Sequence, residues 1–246
     1  MKDNEEQKRI AWNKIVKKVL QFPGVKVHRE TYLKDSFRPY LNEEEIEQVL
    51  NETPKSANID KDLIDKLADA SISYHTTMCS SISFAAGMPG GWWALGTIPA
   101  DVSQFFYHAT VLCQKLLYLY GWPTLFDDDE FNNVDDDTLL KITLFLGVMM
   151  GAQGATKALS KLAENISKEV VKRLPRYALT KYGIYNLAKQ VGKWIGAKIT
   201  KESFAKQVGK VIPVLGGFIS GIITYFSMKP MGKRLKKHLK ELPLAN

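Results

Sequence analysis

The chain has 246 residues, 45% of them hydrophobic and 24% charged, and its 34 Lys/Arg against 26 Asp/Glu give a formal net charge of +8. These values exclude disordered and collagen-like chains and leave enough apolar material for one substantial core. The charge is unevenly spread: residues 1–140 carry 14 Lys/Arg and 22 Asp/Glu, a net −8, whereas residues 141–246 carry 20 and 4, a net +16.

A basic second half points to an anionic partner, membrane surface or nucleic acid. The two cysteines, Cys79 and Cys113, lie in apolar stretches without C-x-x-C spacing. That excludes a disulfide scaffold and a cysteine zinc site. Met1 to Arg9 is polar and no apolar stretch follows it, so no secretory signal is expected and a cytoplasmic setting is.

In chain order, residues 5–21 predict an amphipathic helix with Trp12, Ile15, Val16, Val19 and Leu20 on one face, stopped by Phe22-Pro23-Gly24. Residues 25–41 show no periodicity. Asn42 with Glu45 three residues on forms a capping-box signal for a second helix, which Pro54 ends. A third helix starts near Asp60, with Leu63, Ile64, Leu67, Ala70 and Ile72 as its apolar positions.

From Ala70 to Ala100 there is no charged residue, and Met88-Pro89-Gly90-Gly91 interrupts the run. Two helical arms joined at a Gly/Pro turn are predicted there, in place of one spanning helix. The second arm starts at Thr97-Ile98-Pro99, continues through Tyr118 and closes at Tyr120-Gly121-Trp122-Pro123, with Gly121 in the left-handed terminal position. An acidic loop, Asp127 to Asp137, lacks the glycine and closing glutamate of a calcium loop. It reads as a solvated loop ending in a helix cap at Asp137. Helices are predicted over 138–154, 156–174 and 181–209. A charge-free run follows at 211–228, and then a basic tail. No stretch alternates like a strand. The expected fold is all-α, a Gly-rich bundle of eight to ten helices with a basic C-terminal half. An N-terminal helical appendage, 1–59, would precede the main helical domain, 60–240.

One order of residues stands out: Gly87-Met88-Pro89-Gly90-Gly91, then Pro99-Ala100-Asp101, then a long helix from Gln114 to Tyr120-Gly121, then Lys210, Pro213, Gly216 and Gly217. This order resembles the EcsC family of bacterial proteins over roughly residues 60–240. The resemblance implies an all-helical protein associated with membranes or membrane machinery, with no established catalytic activity. The Asp-rich loop and the basic C-terminal tail have no counterpart in that pattern.

Three sets of residues are candidates for function. Gly147/Gly151, Gly192/Gly196 and Gly217/Gly221 have the Gly-x-x-x-Gly spacing that lets helix backbones approach closely. They suit membrane contact, a homo-oligomer or a tightly packed soluble core. Lys206 and Lys210 before the last apolar run, and Lys233, Arg234, Lys236, Lys237 and Lys240 after it, suit anionic lipid, each worth about 1 kcal/mol near a charged surface. Asp101, Gln104 and His108 share one face of the central helix, and His75 meets them if the preceding arm packs antiparallel. Such a group suits a metal, a ligand or proton transfer.

Nucleophile, P-loop and zinc-module motifs are absent, and no cofactor is implied. The expected function is that of a non-enzymatic accessory protein on the inner face of the cell membrane, contacting anionic lipid or a membrane protein. The alternatives are a soluble helical enzyme or ligand or metal binder built on His75, Asp101, Gln104 and His108, and a basic nucleic-acid adaptor.

Overall fold

The computed structural model describes residues 2–86, 100–126, 134–169, 172–199 and 216–245. Within these, only the backbone is described at 2–5, 8, 82–86, 100–102, 199 and 216–226. Ten helices are found among the described residues: α1 (Lys2–Leu20), α2 (Arg29–Phe37), α3 (Glu43–Asn51), α4 (Lys61–Ala86), α5 (Ala100–Leu119), α6 (Asp136–Met150), α7 (Gln153–Ile166), α8 (Ala178–Lys181), α9 (Tyr185–Ile199) and α10 (Gly216–Lys240). Among the described residues the only strand-like pairing is a bridge between Thr124 and Arg173. The all-α multi-helix bundle is as expected.

The architecture centres on α4, which packs along α10 on one side and α5 on the other. Both partners run antiparallel to it. Lys240 and Lys236 of α10 reach Asp65, Lys236 also reaches Asp69 at 2.9 Å, and Gly232 lies on Ile72. On the other flank Tyr120 Oη, just past α5, donates to Asp65 Oδ1 at 2.7 Å, and His108 meets His75. Gly232 permits the close approach, since a Cβ there would stand 2.9 Å from Ile72 Cγ1 and 3.2 Å from Leu112 Cδ2.

A second layer is formed by α1, α6 and α9. The apolar face expected of α1 is buried in full, Trp12, Ile15, Val16, Val19 and Leu20 included. Trp12 stacks edge-on to Phe106 at 5.0 Å and donates from Nε1 to Thr143 Oγ1 at 2.8 Å. That bond satisfies the buried indole N–H of Trp12. One hydrophobic core therefore runs through both 1–59 and 60–240. Gln114 ties the segment after α1 to α5, accepting from Val27 N and donating to Val25 O.

Arg29, 8% exposed, is held by main-chain carbonyls of Leu50, Glu52 and Trp122 at 2.9–3.2 Å. Three of its acceptors, Val49, Leu50 and Glu52, lie at the C-terminus of α3, where the helix dipole favours a cation. Burial lowers its pKa from the free value. Its position fixes α2 and α3 against the turn at Trp122, in the segment that showed no periodicity.

Several local expectations are corrected. Asp135, not Asp137, caps α6, accepting from Thr138 N at 2.8 Å. Asp137 is instead buried beside Lys141, one turn on, at 3.7 Å. The helix expected over 156–174 ends at Ile166, and Leu174 N donates to Thr124 O across the bridge. The basic residues after 228 are not a tail. They form the second half of α10, which runs through Pro230 to Lys240.

Candidate functional site

Antiparallel packing of α4 and α5 brings His75 and His108 together in the helix interface, with their Nδ1 atoms 3.2 Å apart. The rings are tilted by 59° with centroids 5.5 Å apart. Each is braced edge-on by a neighbouring tyrosine, Tyr74 against His75 at 5.1 Å and Tyr107 against His108 at 5.2 Å. Both histidines are buried, at 3% and 7% exposure. The Nε2 of His75 is enclosed without a hydrogen-bond partner, as is Nε2 of Gln104, one turn before His108. The remaining candidate of this set, Asp101, lies in the first turn of α5, where only the backbone is described.

The electrostatics keep the pair neutral. Burial, then the Lys115 ammonium, then His108 push the pKa of His75 down to about 3. Burial and Lys115 also lower His108. Lys115, two turns beyond His108, stands over the rings of Tyr32 and Tyr74 at 5.4 and 5.5 Å, and its own pKa is lowered by burial. A Tyr32–Ser71 hydroxyl contact of 3.0 Å fixes the first of those rings.

Chemically, two neutral imidazoles facing through Nδ1 share one proton in an N–H···N hydrogen bond. Two neighbours of the pair, Lys115 and Tyr74, were not read from the sequence. The i, i+7 spacing of His108 and Lys115 puts them on one face and is the signal that finds Lys115. Tyr74 sits beside His75 in sequence and carried no comparable signal.

The other candidates fall elsewhere. Gly147 of α6 faces Val191 of α9, with no room for a Cβ, and Gly192 faces Thr143 and Trp12. These two motifs thus meet each other inside the chain. Gly151 is the left-handed cap of α6, with φ of +84°, and Gly196 is buried on α9. Gly217 and Gly221 lie in the backbone-only part of α10. Lys206 and Lys210 lie outside the described residues.

Of the basic residues on α10, Arg234 donates to the main-chain oxygen of Met149 at 2.5 Å, near the end of α6. Lys236 pairs with Asp65 and Asp69, and Lys240 pairs with Asp65. Lys233 and Lys237 are exposed, along an open groove that Asp65 and Asp69 also line. Three of the five basic side chains are thus engaged within the chain.

Among the described residues, no helix is long and apolar enough to cross a membrane. Nor does any group of three His, Cys, Asp or Glu there have the disposition to hold a metal. No protein-family model matches the chain, and no curated protein or solved structure does either.

Proposed function

We propose that this chain is a non-enzymatic, membrane-associated accessory protein that enters one leaflet with one end of its α4–α5–α10 layer. The observation that carries this reading is the antiparallel register of the three helices. Charged residues gather at the end marked by Asp65, Asp69, Lys236 and Lys240. At the opposite end the C-terminus of α4 and the N-termini of α5 and α10 come together, and there the sequence is almost free of charge. Residues 70–86 and 216–228 carry none, and 100–114 carry only Asp101.

Beyond the level of Lys115 and Lys229, α4 continues from about residue 76 to Ala86. At 1.5 Å per residue that is about 16 Å. Half of a hydrocarbon core is about 15 Å. Such a depth suits insertion into one leaflet and agrees with the lack of a spanning helix among the described residues.

Attraction to headgroups would come from the basic second half. On α9, Lys189 stands over Tyr185 at 4.6 Å and Lys198 over Trp194 at 4.1 Å. Amphipathic aromatic rings beside lysines suit a membrane–water boundary. The resemblance to the EcsC family points the same way.

The test is co-sedimentation with anionic and with neutral vesicles over a salt series. Binding to anionic vesicles that weakens with salt is expected. Absence of binding to both vesicle types overturns the reading, and retention by duplex DNA in its place favours the nucleic-acid alternative.

A further inference from the structure

We infer that α1 and α9 together form the surface that meets anionic lipid headgroups. Two acid-free stretches supply it. Residues 7–29 carry seven Lys/Arg and no Asp/Glu, and residues 170–201 carry eight and none. They come from opposite halves of the chain, and the net −8 of residues 1–140 hides the first of them. Folding sets them side by side, because α1 packs along α9, where a Cβ on Gly192 would stand 3.7 Å from both Arg9 Cγ and Trp12 Cδ1.

Both helices display lysines outward. On α1, Lys14 and Lys17 are exposed and Lys18 is half-buried, opposite the buried stripe of Trp12, Val16 and Val19. On α9, Lys198 is exposed and Lys189 half-buried, each over an aromatic ring. Apolar side chains stand among the α1 lysines: Ile10 is 45% exposed, and Phe22, just past the helix, is 39% exposed. Lysines interleaved with exposed apolar side chains suit a helix lying at the headgroup–acyl boundary. Toward the N-terminus of α1, the carboxylate of Glu6 is taken up by Arg9.

The level of α1 fits this role, and here the inference rests on the leaflet reading above. Trp12 meets Phe106 at 5.0 Å and Phe22 meets Tyr107 at 6.2 Å, so α1 crosses α5 beside His108. His108 faces His75, which directly precedes the part of α4 proposed to enter the leaflet. Helix α1 thus lies where the charge-free ends begin, at headgroup depth. A matched set of lysines lies elsewhere: Lys157, Lys161 and Lys237 are exposed at the charged end, where Ser160 of α7 meets His238 of α10 at 3.4 Å.

The test is partition of the full chain onto phosphatidylcholine vesicles with and without phosphatidylserine. The triple variant Lys14→Gln, Lys17→Gln, Lys18→Gln should bind the anionic vesicles roughly a hundredfold more weakly at low salt, with a shallower salt dependence. Arginine at the same three positions should keep the binding of the unaltered chain. The matched triple Lys157→Gln, Lys161→Gln, Lys237→Gln, with the same loss of charge, should bind close to the unaltered chain. Equal losses in the two glutamine triples, no loss in the α1 triple, or loss in the arginine variant overturns this assignment alone. An unaltered chain that binds no vesicle overturns the leaflet reading with it. Tighter binding of the unaltered chain to duplex DNA than to vesicles, lost in the α1 triple, gives the surface to nucleic acid and overturns the inference.

Discussion

Gly232 of α10 lies so close to Ile72 of α4 that a Cβ on the glycine would stand 2.9 Å from Ile72 Cγ1 and 3.1 Å from Ile72 Cγ2. This contact lies between the ion pairs at Asp65 and Asp69 and the charge-free ends of the helices. It sets the register on which the functional reading rests. Gly232→Ala is expected to destabilise the chain by about 1–3 kcal/mol, the usual range for overpacking. Ile72→Val in the same chain should recover part of the loss, because the two residues share one contact. Denaturant unfolding of the single and double variants measures both effects. Additive losses would contradict the contact.

The crossing of α6 and α9 depends on Gly147 in the same way. Its missing side chain leaves room for Val191 and Ala155, whereas a Cβ on nearby Gly154 would meet Val191 at an ordinary 3.8 Å. Gly147→Ala should lower the unfolding free energy by about 1–3 kcal/mol. Gly154→Ala should be neutral or slightly stabilising, since alanine is the better helix former by about 1 kcal/mol. Thermal unfolding of the pair distinguishes a packing role inside the chain from a role between chains. In the latter case Gly147→Ala would change the oligomeric state at unchanged stability.

Acid should weaken the protein through the histidine pair. The pKa of His75 is about 3 in the folded chain, set chiefly by burial, against about 6.5 when unfolded. The unfolded state thus binds the proton first. The stability tied to the neutral ring is complete above about pH 6.5 and is lost progressively as pH falls toward 3. His75→Leu is expected to flatten the stability profile in that window. A profile with the same slope would contradict the neutral buried pair.

Asp65 acts at lower pH. Burial alone would raise its pKa, but hydrogen bonds from Lys240 and Tyr120 and the charge of Lys236 outweigh that and hold it below the usual value. Its folded pKa is below its unfolded one, so its contribution is present above about pH 4 and lost as pH falls further. Asp65→Asn should remove part of the acid sensitivity below pH 4 and leave the histidine window unchanged. Chemical denaturation at a series of pH values measures the two separately.

Much of this bundle was legible because each signal was local. The Asn42–Glu45 capping box forms as its spacing predicts, Gly121 is left-handed at φ of +85°, and the apolar stripe of α1 is the buried face. What was not legible depends on distant partners. Helix α2 offers only Leu33 and Phe37 as an apolar pair, and its third buried residue is Arg29, a charge that only the carbonyls of α3 and Trp122 explain. Lys141 reads as a surface charge yet is fully buried beside Asp137 and near the Phe126 ring. Pro230 reads as a stop, but α10 passes through it. At the candidate site, helical spacing aligned Gln104 with His108, and His75 met His108 only on the condition that the two arms pack antiparallel, whereas the facing Nδ1 atoms depend on side-chain angles that no sequence pattern encodes.

The most direct test of leaflet insertion compares two points along α4. Ser81 is exposed toward the charge-free end, and Lys61 is exposed at the charged end. A polarity-sensitive fluorophore on Ser81→Cys or Lys61→Cys, with anionic vesicles carrying lipid-tail quenchers, reads which end enters the leaflet. Quenching and a blue shift at position 81 alone are the predicted result. Equal responses at both positions, or none at position 81 on vesicle-bound protein, would contradict insertion by the charge-free end.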